Sequence, residues 1–246
     1  MSLPVREKLS MLTPPSRFYA RRMAEEVRSG EPELAILPQL CPAGGTAVDV
    51  GANQGVFAYA LAGIADRVVA FEPNPDYASF ARWMLRGRAE VHEFAIADRP
   101  GRAVLHVPLS DDDGMVLHLA GNLKNTHAQF RNERTYEVEV RTLDGFGLTE
   151  VRFIKADVEG SEREVLDGAR SIVARDRPVI LLELLSGTHA DPGAYAAAIC
   201  ESFGYDALIV QHGRKIPALP AIAALGKNTS WGSEIETRNV LFVPRF

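Results

Sequence analysis

Cysteine is nearly absent from this 246-residue chain. Only Cys41 and Cys200 occur, neither in a CxxC or Cys/His spacing, so no disulfide framework or zinc site can be built from them. Both are expected to be reduced and packed as small hydrophobes. Long apolar runs are also missing. No stretch approaches the roughly 20 residues that a bilayer crossing needs, and MSLPVREKLSMLTPPSRFY lacks the unbroken apolar core of a signal peptide. A cytoplasmic location with no membrane partner is therefore expected. There is no basic excess either: 32 acidic residues against 27 Lys and Arg leave a net charge of -5. That balance speaks against a nucleic-acid partner, which would require a surface that neutralises phosphates. What remains is ordinary globular composition, 46% apolar and 24% charged, in a chain long enough for one α/β core and short for two.

The pattern along the chain supplies the fold class. Residues 16–28 place Tyr19, Met23 and Val27 at helical spacing, and Pro32 opens a second helical stretch, so residues 1–40 are expected to form a helical cap on a single globular unit spanning 41–246. Arg21 and Arg22 lie beside Glu25 and Glu26 and read as a solvated helix face. Beyond them, short apolar runs alternate with helical stripes, the signature of βαβ units. The expected strands are TAVDVG (46–51), RVVAFE (67–72), EVHEFAI (90–96), VRFIKAD (151–157), PVILLEL (178–184), YDALIV (205–210) and NVLFVP (239–244). Asn74 and Pro75 start one helix as cap and first residue, and Ser161 with Glu164 reads as a capping box for another. GRAVLHVPL and TYEVEVRTL form an inserted strand pair. The long polar stretch between them, 110–134, is expected to be a lid over a binding site; its Asp111-Asp112-Asp113 lacks EF-hand spacing and reads as an exposed turn.

The most informative stretch is Val48-Asp49-Val50-Gly51-Ala52-Asn53-Gln54-Gly55, where the first strand gives way to the first helix. Glycines at this bend let the backbone approach a ligand and aim helix N–H groups at it. Glu72, ending the second strand, is placed to accept hydrogen bonds from both hydroxyls of a ribose. Together they indicate an adenosine-type cofactor. A dinucleotide fingerprint needs a second glycine where this chain has Asn53, and Asp49 would repel a pyrophosphate while suiting the ammonium and sulfonium charges of S-adenosylmethionine. Asp98, after the third strand, can accept from an adenine amino group. The candidate cofactor set is thus Asp49, Gly51, Asn53, Gly55, Glu72, Asn74, Ala97 and Asp98.

The chain resembles the FkbM-type S-adenosylmethionine-dependent methyltransferases. The resemblance runs from Val48-Asp49-Val50-Gly51-Ala52-Asn53-x-Gly55 and Phe71-Glu72-Pro73-Asn74-Pro75 to Thr142-Leu143-Asp144 and Ile154-Lys155-Ala156-Asp157-Val158-Glu159-Gly160, with Asn239-Val240-Leu241-Phe242-Val243 as a weaker terminal match. It covers about residues 46–185. It implies a class I methyltransferase (Rossmann-like) fold, an α/β arrangement of seven mostly parallel strands with the last antiparallel and helices on both faces. It also implies methylation of a hydroxyl, commonly on a sugar or a natural-product intermediate. The other readings are an NAD-dependent oxidoreductase and a cofactor-binding protein without catalysis.

Methyl transfer to a hydroxyl requires alignment and a proton acceptor at the carboxyl ends of the central strands. Asp157 leads, with Glu159 beside it and His189 and Glu183 in reserve. A strand-end carboxylate can equally serve neighbouring N–H groups. No metal site is assigned, although Asp157 holding Mg2+ stays a third option.

Overall fold

The computed structural model describes residues 5–108, 133–185, 189–225 and 235–245. In chain order these form α1 (Val5–Ser10), α2 (Pro15–Arg28), α3 (Glu33–Leu40), β1 (Thr46–Val50), α4 (Val56–Leu61), β2 (Arg67–Phe71), α5 (Pro75–Met84), β3 (Glu90–His92) and β4 (Ala95–Ile96). They continue with β5 (Gly101–Pro108), β6 (Glu133–Arg141), β7 (Val151–Ala156), α6 (Glu162–Asp167), α7 (Arg170–Asp176), β8 (Val179–Glu183), α8 (Pro192–Phe203), β9 (Tyr205–Gln211), β10 (Arg214–Pro217), α9 (Ala218–Leu225) and β11 (Asn239–Pro244).

The main sheet has the order β10-β9-β11-β8-β7-β1-β2-β3. The pairs β1/β2, β2/β3, β1/β7 and β7/β8 are parallel, and β11 runs antiparallel between β8 and β9. The seven expected strands are joined by an eighth, β10, which folds back on β9 through His212 and Gly213, both at positive φ. The apolar run 90–96 also divides. Its first half pairs with β2 as β3, while its second half, β4, pairs with β6 of the inserted β5/β6 hairpin in a separate three-stranded sheet. The expected lid, 110–134, lies outside the described residues except for Glu133 and Arg134 at the start of β6.

Alternation along the central strands sends neighbouring side chains to opposite faces. In β7, Ile154 and Ala156 join one core with Val48 and Val50 of β1, while Phe153 joins the other with Tyr19, Leu37 and Leu181. That second face is covered by α2, α3 and α4, and Tyr19 is fully buried in it. The same parity carries Asp49, Lys155 and Glu183 to the second face, at the carboxyl ends of β1, β7 and β8. Asp49 and Lys155 are register partners across β1 and β7. The chain turns from β1 toward β2 on one side and returns to β7 on the other, so the crevice for a ligand opens between them, at the topological switch point.

Candidate functional site

The turn after β1 is held by backbone geometry that only glycine permits. Gly51 has φ +78°, and a Cβ there would fall 1.8 Å from the Asp157 carbonyl oxygen, so the β1 and β7 loops touch backbone to backbone. The Gly51 and Ala52 N–H groups both donate to the Phe71 carbonyl, and the Tyr19 hydroxyl donates to the Gln54 carbonyl at 2.9 Å. A helix ahead of the Rossmann-like core thus braces the ligand turn.

Two lobes adjoin at this seam, sharing Gly51, Asn53 and Asp157 in their walls. The first is lined by Phe71, Tyr77, Phe94, Ile96 and Leu105, with Glu72 as its polar group away from the shared seam. Glu72 is 7% exposed. Its Oε2 accepts from the Asn53 N–H at 2.7 Å and its Oε1 from the Asn74 N–H at 2.8 Å. An ionised carboxylate offers about four lone-pair sites, so each oxygen keeps acceptor capacity toward the lobe. Burial pushes its pKa up to about 7 against the pull of those two N–H groups. Asn74 caps α5 as expected, accepting from the Asp76 N–H at 3.0 Å. Ala97 and Asp98 stand just beyond the lining residues Phe94–Ile96. There the Ala97 carbonyl would meet a Cβ on Gly168 at 2.1 Å, and Asp98 is exposed.

The second lobe is wider and strongly charged, with Glu26, Glu31, Asp49, Asp157, Glu159 and Glu183 facing Arg22, Lys155 and Arg238. Asp49 is buried, its Oδ2 accepting from the Ala58 N–H at 2.9 Å, and burial raises it to about 7 despite Lys155 nearby. Asp157 and Glu183 each place a carboxyl oxygen within 4.8 Å of the other, and Asp157 Oδ2 lies 3.6 Å from the Lys155 ammonium. Burial penalises Asp157, but Lys155, Glu183 and Arg238 outweigh it and hold the carboxyl below its ordinary range. Glu183, buried beside that anion, is driven well above its own. Glu159, at φ +53°, is pushed up to about 8 by burial and by Asp157 and Glu162.

Glu31 enters from the N-terminal segment and Arg238 from the segment before β11. Arg238 pairs with Glu31 and Glu183, each at 3.1 Å, and Asn239 and Thr237 bind Glu31 and Glu33. This buried network fastens the N-terminal segment over the sheet. Glu31, Asp157 and Glu183 place one oxygen each within 4.8 Å of one another, a grouping that could accept a cation, but Lys155 and Arg238 already compensate them.

His189 lies elsewhere. Its Nε2 is 2.8 Å from Glu162 Oε2, its ring packs 4.4 Å from Tyr195, and it lines neither lobe. Glu162 is fully buried and its Oε1 accepts from the Val158 and Gly160 N–H groups, both at 3.2 Å. Those bonds shape the loop that carries Asp157 and Glu159. The expected capping box is therefore corrected: Ser161 makes no side-chain cap, and the loop N–H groups are taken by Glu162, one residue later. Asp144 is likewise structural, accepting from the Ser171 and Ile172 N–H groups at the start of α7. Sequence reasoning passed over Lys155, Glu31 and Arg238. For Lys155 the signal was present, a lysine inside an otherwise apolar buried strand.

Sheet order, switch-point crevice and glycine turn define an α/β protein of the class I methyltransferase fold. The Methyltransferase FkbM domain matches residues 49–206, more than half of the chain, and the chain belongs to that family. The 2-O-methyltransferase NoeI of Sinorhizobium fredii (strain NBRC 101917 / NGR234) is 29% identical over 144 residues, 53% of this chain and 59% of that protein. The chain thus spans about three fifths of the relative's length. The solved methyltransferase FkbM from Methylobacillus flagellatus KT shares the fold at TM-score 0.52 with 19% identity, over 83% of this chain and 45% of that one. No helix among the described residues is long and apolar enough to cross a membrane.

Proposed function

We propose that the protein is an S-adenosylmethionine-dependent O-methyltransferase acting on a hydroxyl of a small molecule of sugar or natural-product type. The observation that carries this reading is the pair of adjoining lobes. A mostly apolar lobe with Glu72 set away from the shared seam suits a nucleoside, and a charged lobe across the Gly51–Asp157 seam suits a zwitterionic amino-acid end. A dinucleotide would instead bring its pyrophosphate toward Asp49 and Asp157, at a Coulombic cost. The family, and a relative named for 2-O-methylation, support the oxygen acceptor.

Bound there, S-adenosylmethionine supplies an electrophilic methyl group. Phe94, Tyr77 and Glu72 would hold its nucleoside end, and Asp49 and the Gly51 turn would face its amino-acid end. Asp157 takes the hydroxyl proton of the acceptor as the oxygen attacks, and its partial exposure, 26% of the side chain, gives that proton a route to water. Lys155 keeps Asp157 ionised and ready to accept. Glu159, raised to about 8, is largely protonated at neutral pH, which leaves Asp157 as the carboxylate free to accept a proton. His189 acts through Glu162 on the loop. Arg22, Glu26 and Glu31, which line the charged lobe, would form the acceptor-side wall.

The test is calorimetry with S-adenosylhomocysteine and with NADH, followed by transfer of radiolabelled methyl from S-adenosylmethionine to a panel of neutral methyl glycosides. Binding of the first nucleoside with label appearing on a glycoside oxygen is expected. Binding of NADH alone would overturn the reading.

A further inference from the structure

Lys155 is a fully buried charge without a hydrogen-bond partner among the described residues. Its side chain is 1% exposed. The nearest ion partner, Asp157 Oδ2, is at 3.6 Å, and the Phe57 ring centroid is 5.1 Å away. An ammonium with three N–H donors is costly to bury without acceptors, so a native position of this kind calls for a partner. The donor faces the charged lobe at the end of β7, next to the Gly51 turn. The other cations of that lobe are engaged: Arg22 holds Glu25 and Glu26, and Arg238 holds Glu31 and Glu183. An amino-acid end entering the lobe meets many carboxylates for its ammonium. For its carboxylate it finds Lys155, the lobe cation whose whole head group makes no hydrogen bond among the described residues, whereas Arg22 keeps only its Nε–H after serving Glu25 and Glu26.

We propose that Lys155 anchors the α-carboxylate of the cofactor's methionine end. This rests on the S-adenosylmethionine reading and adds a residue outside the candidate cofactor set derived from the sequence. It also accounts for a charge in the middle of a buried strand. Burial alone would neutralise the amine, but Asp157, Glu31, Glu183 and Asp49 together hold it protonated. The lysine therefore remains a cation when the lobe is filled. The alternative occupant of the same donors is the acceptor oxygen.

The test titrates wild type and Lys155→Met with S-adenosylhomocysteine and with its decarboxylated analogue, which keeps the nucleoside, the thioether and the ammonium. Loss of a hydrogen bond to a charged group should weaken S-adenosylhomocysteine about 10- to 150-fold in the variant. The decarboxylated analogue should bind both proteins within about threefold, an allowance for modest readjustment around the lost charge. Equal weakening of the two ligands would mean that the lysine only supports packing, and unchanged S-adenosylhomocysteine affinity would hand its donors to the acceptor; either result overturns the proposal. If wild type binds neither ligand, the cofactor reading itself falls, a result distinct from the other two. Should Lys155→Met not fold, the wild-type complex with S-adenosylhomocysteine decides: a carboxylate oxygen must lie within about 3.2 Å of Lys155 Nζ, and a carboxylate bound elsewhere overturns the assignment.

Discussion

The two lobes of the crevice are built by opposite means. In the apolar lobe the carboxylate away from the shared seam is Glu72, whose partners Asn53 and Asn74 lie within 19 and 2 residues of it. The charged lobe gathers Glu31, Lys155, Asp157, Glu183 and Arg238 from segments as far as 207 residues apart. In the first, desolvation is met locally by backbone donors. In the second, each buried charge is tolerable only because distant charges oppose it, so the lobe exists only in the folded state. The two lobes can therefore be perturbed separately.

The sharpest division comes from Asp157→Asn, which deletes the proposed proton acceptor and keeps the shape. Turnover should fall about 10²- to 10⁴-fold, while S-adenosylhomocysteine affinity, measured by calorimetry, changes little. Near-normal turnover would move the base to Glu159 or Glu183 and dissolve the contrast between the lobes. Next in size is Gly51→Ala at the seam. A methyl group against the Asp157 carbonyl, at a φ that disfavours alanine, should cost about 2–3 kcal/mol in urea unfolding and weaken cofactor binding with it. An intact midpoint would show that the two loops can separate. Glu72→Gln touches the apolar lobe and should weaken S-adenosylhomocysteine about 10- to 150-fold. An affinity within twofold of wild type, on folded protein, would remove Glu72 from the ribose position.

A smaller effect is the pH dependence of stability. Asp49 and Glu72 are raised by burial to about 7 from 3.8 and 4.5, so between those values and 7 the folded state binds more protons than the unfolded one. Their stabilising contribution is complete below about pH 4 and is lost as pH rises toward and through 7. The melting temperature of the ligand-free protein should fall across that window, by roughly 2–4 °C for each kcal/mol lost, and Glu72→Gln should flatten the slope. Asp157 has the opposite sign. Its lowered value confines its loss of stability to more acid solution, outside the window. Least of all, EDTA should leave turnover within about twofold, because Lys155 and Arg238 already balance the three grouped carboxylates; loss restored by magnesium would reassign Glu31, Asp157 and Glu183 as ligands.

Local chemistry was legible in the sequence: the Gly51 turn, Glu72 at the end of β2, the Asn74–Pro75 helix start and the parallel strands from their apolar runs. These depend on backbone conformation and hydrophobic period, which neighbours in sequence set. Only tertiary structure decided that residues 90–96 divide between two sheets, since pairing partners are chosen by where β6 lies and not by the run itself. His189, at the end of an undistinguished loop, became a partner of Glu162 because α6 and the residues after β8 meet in space. Lys155 acquired its meaning from strand parity, which turned its ammonium into a lobe whose acids come from the N-terminal segment, β1 and β8. A buried charge is defined by what surrounds it, and that surrounding is a property of the fold.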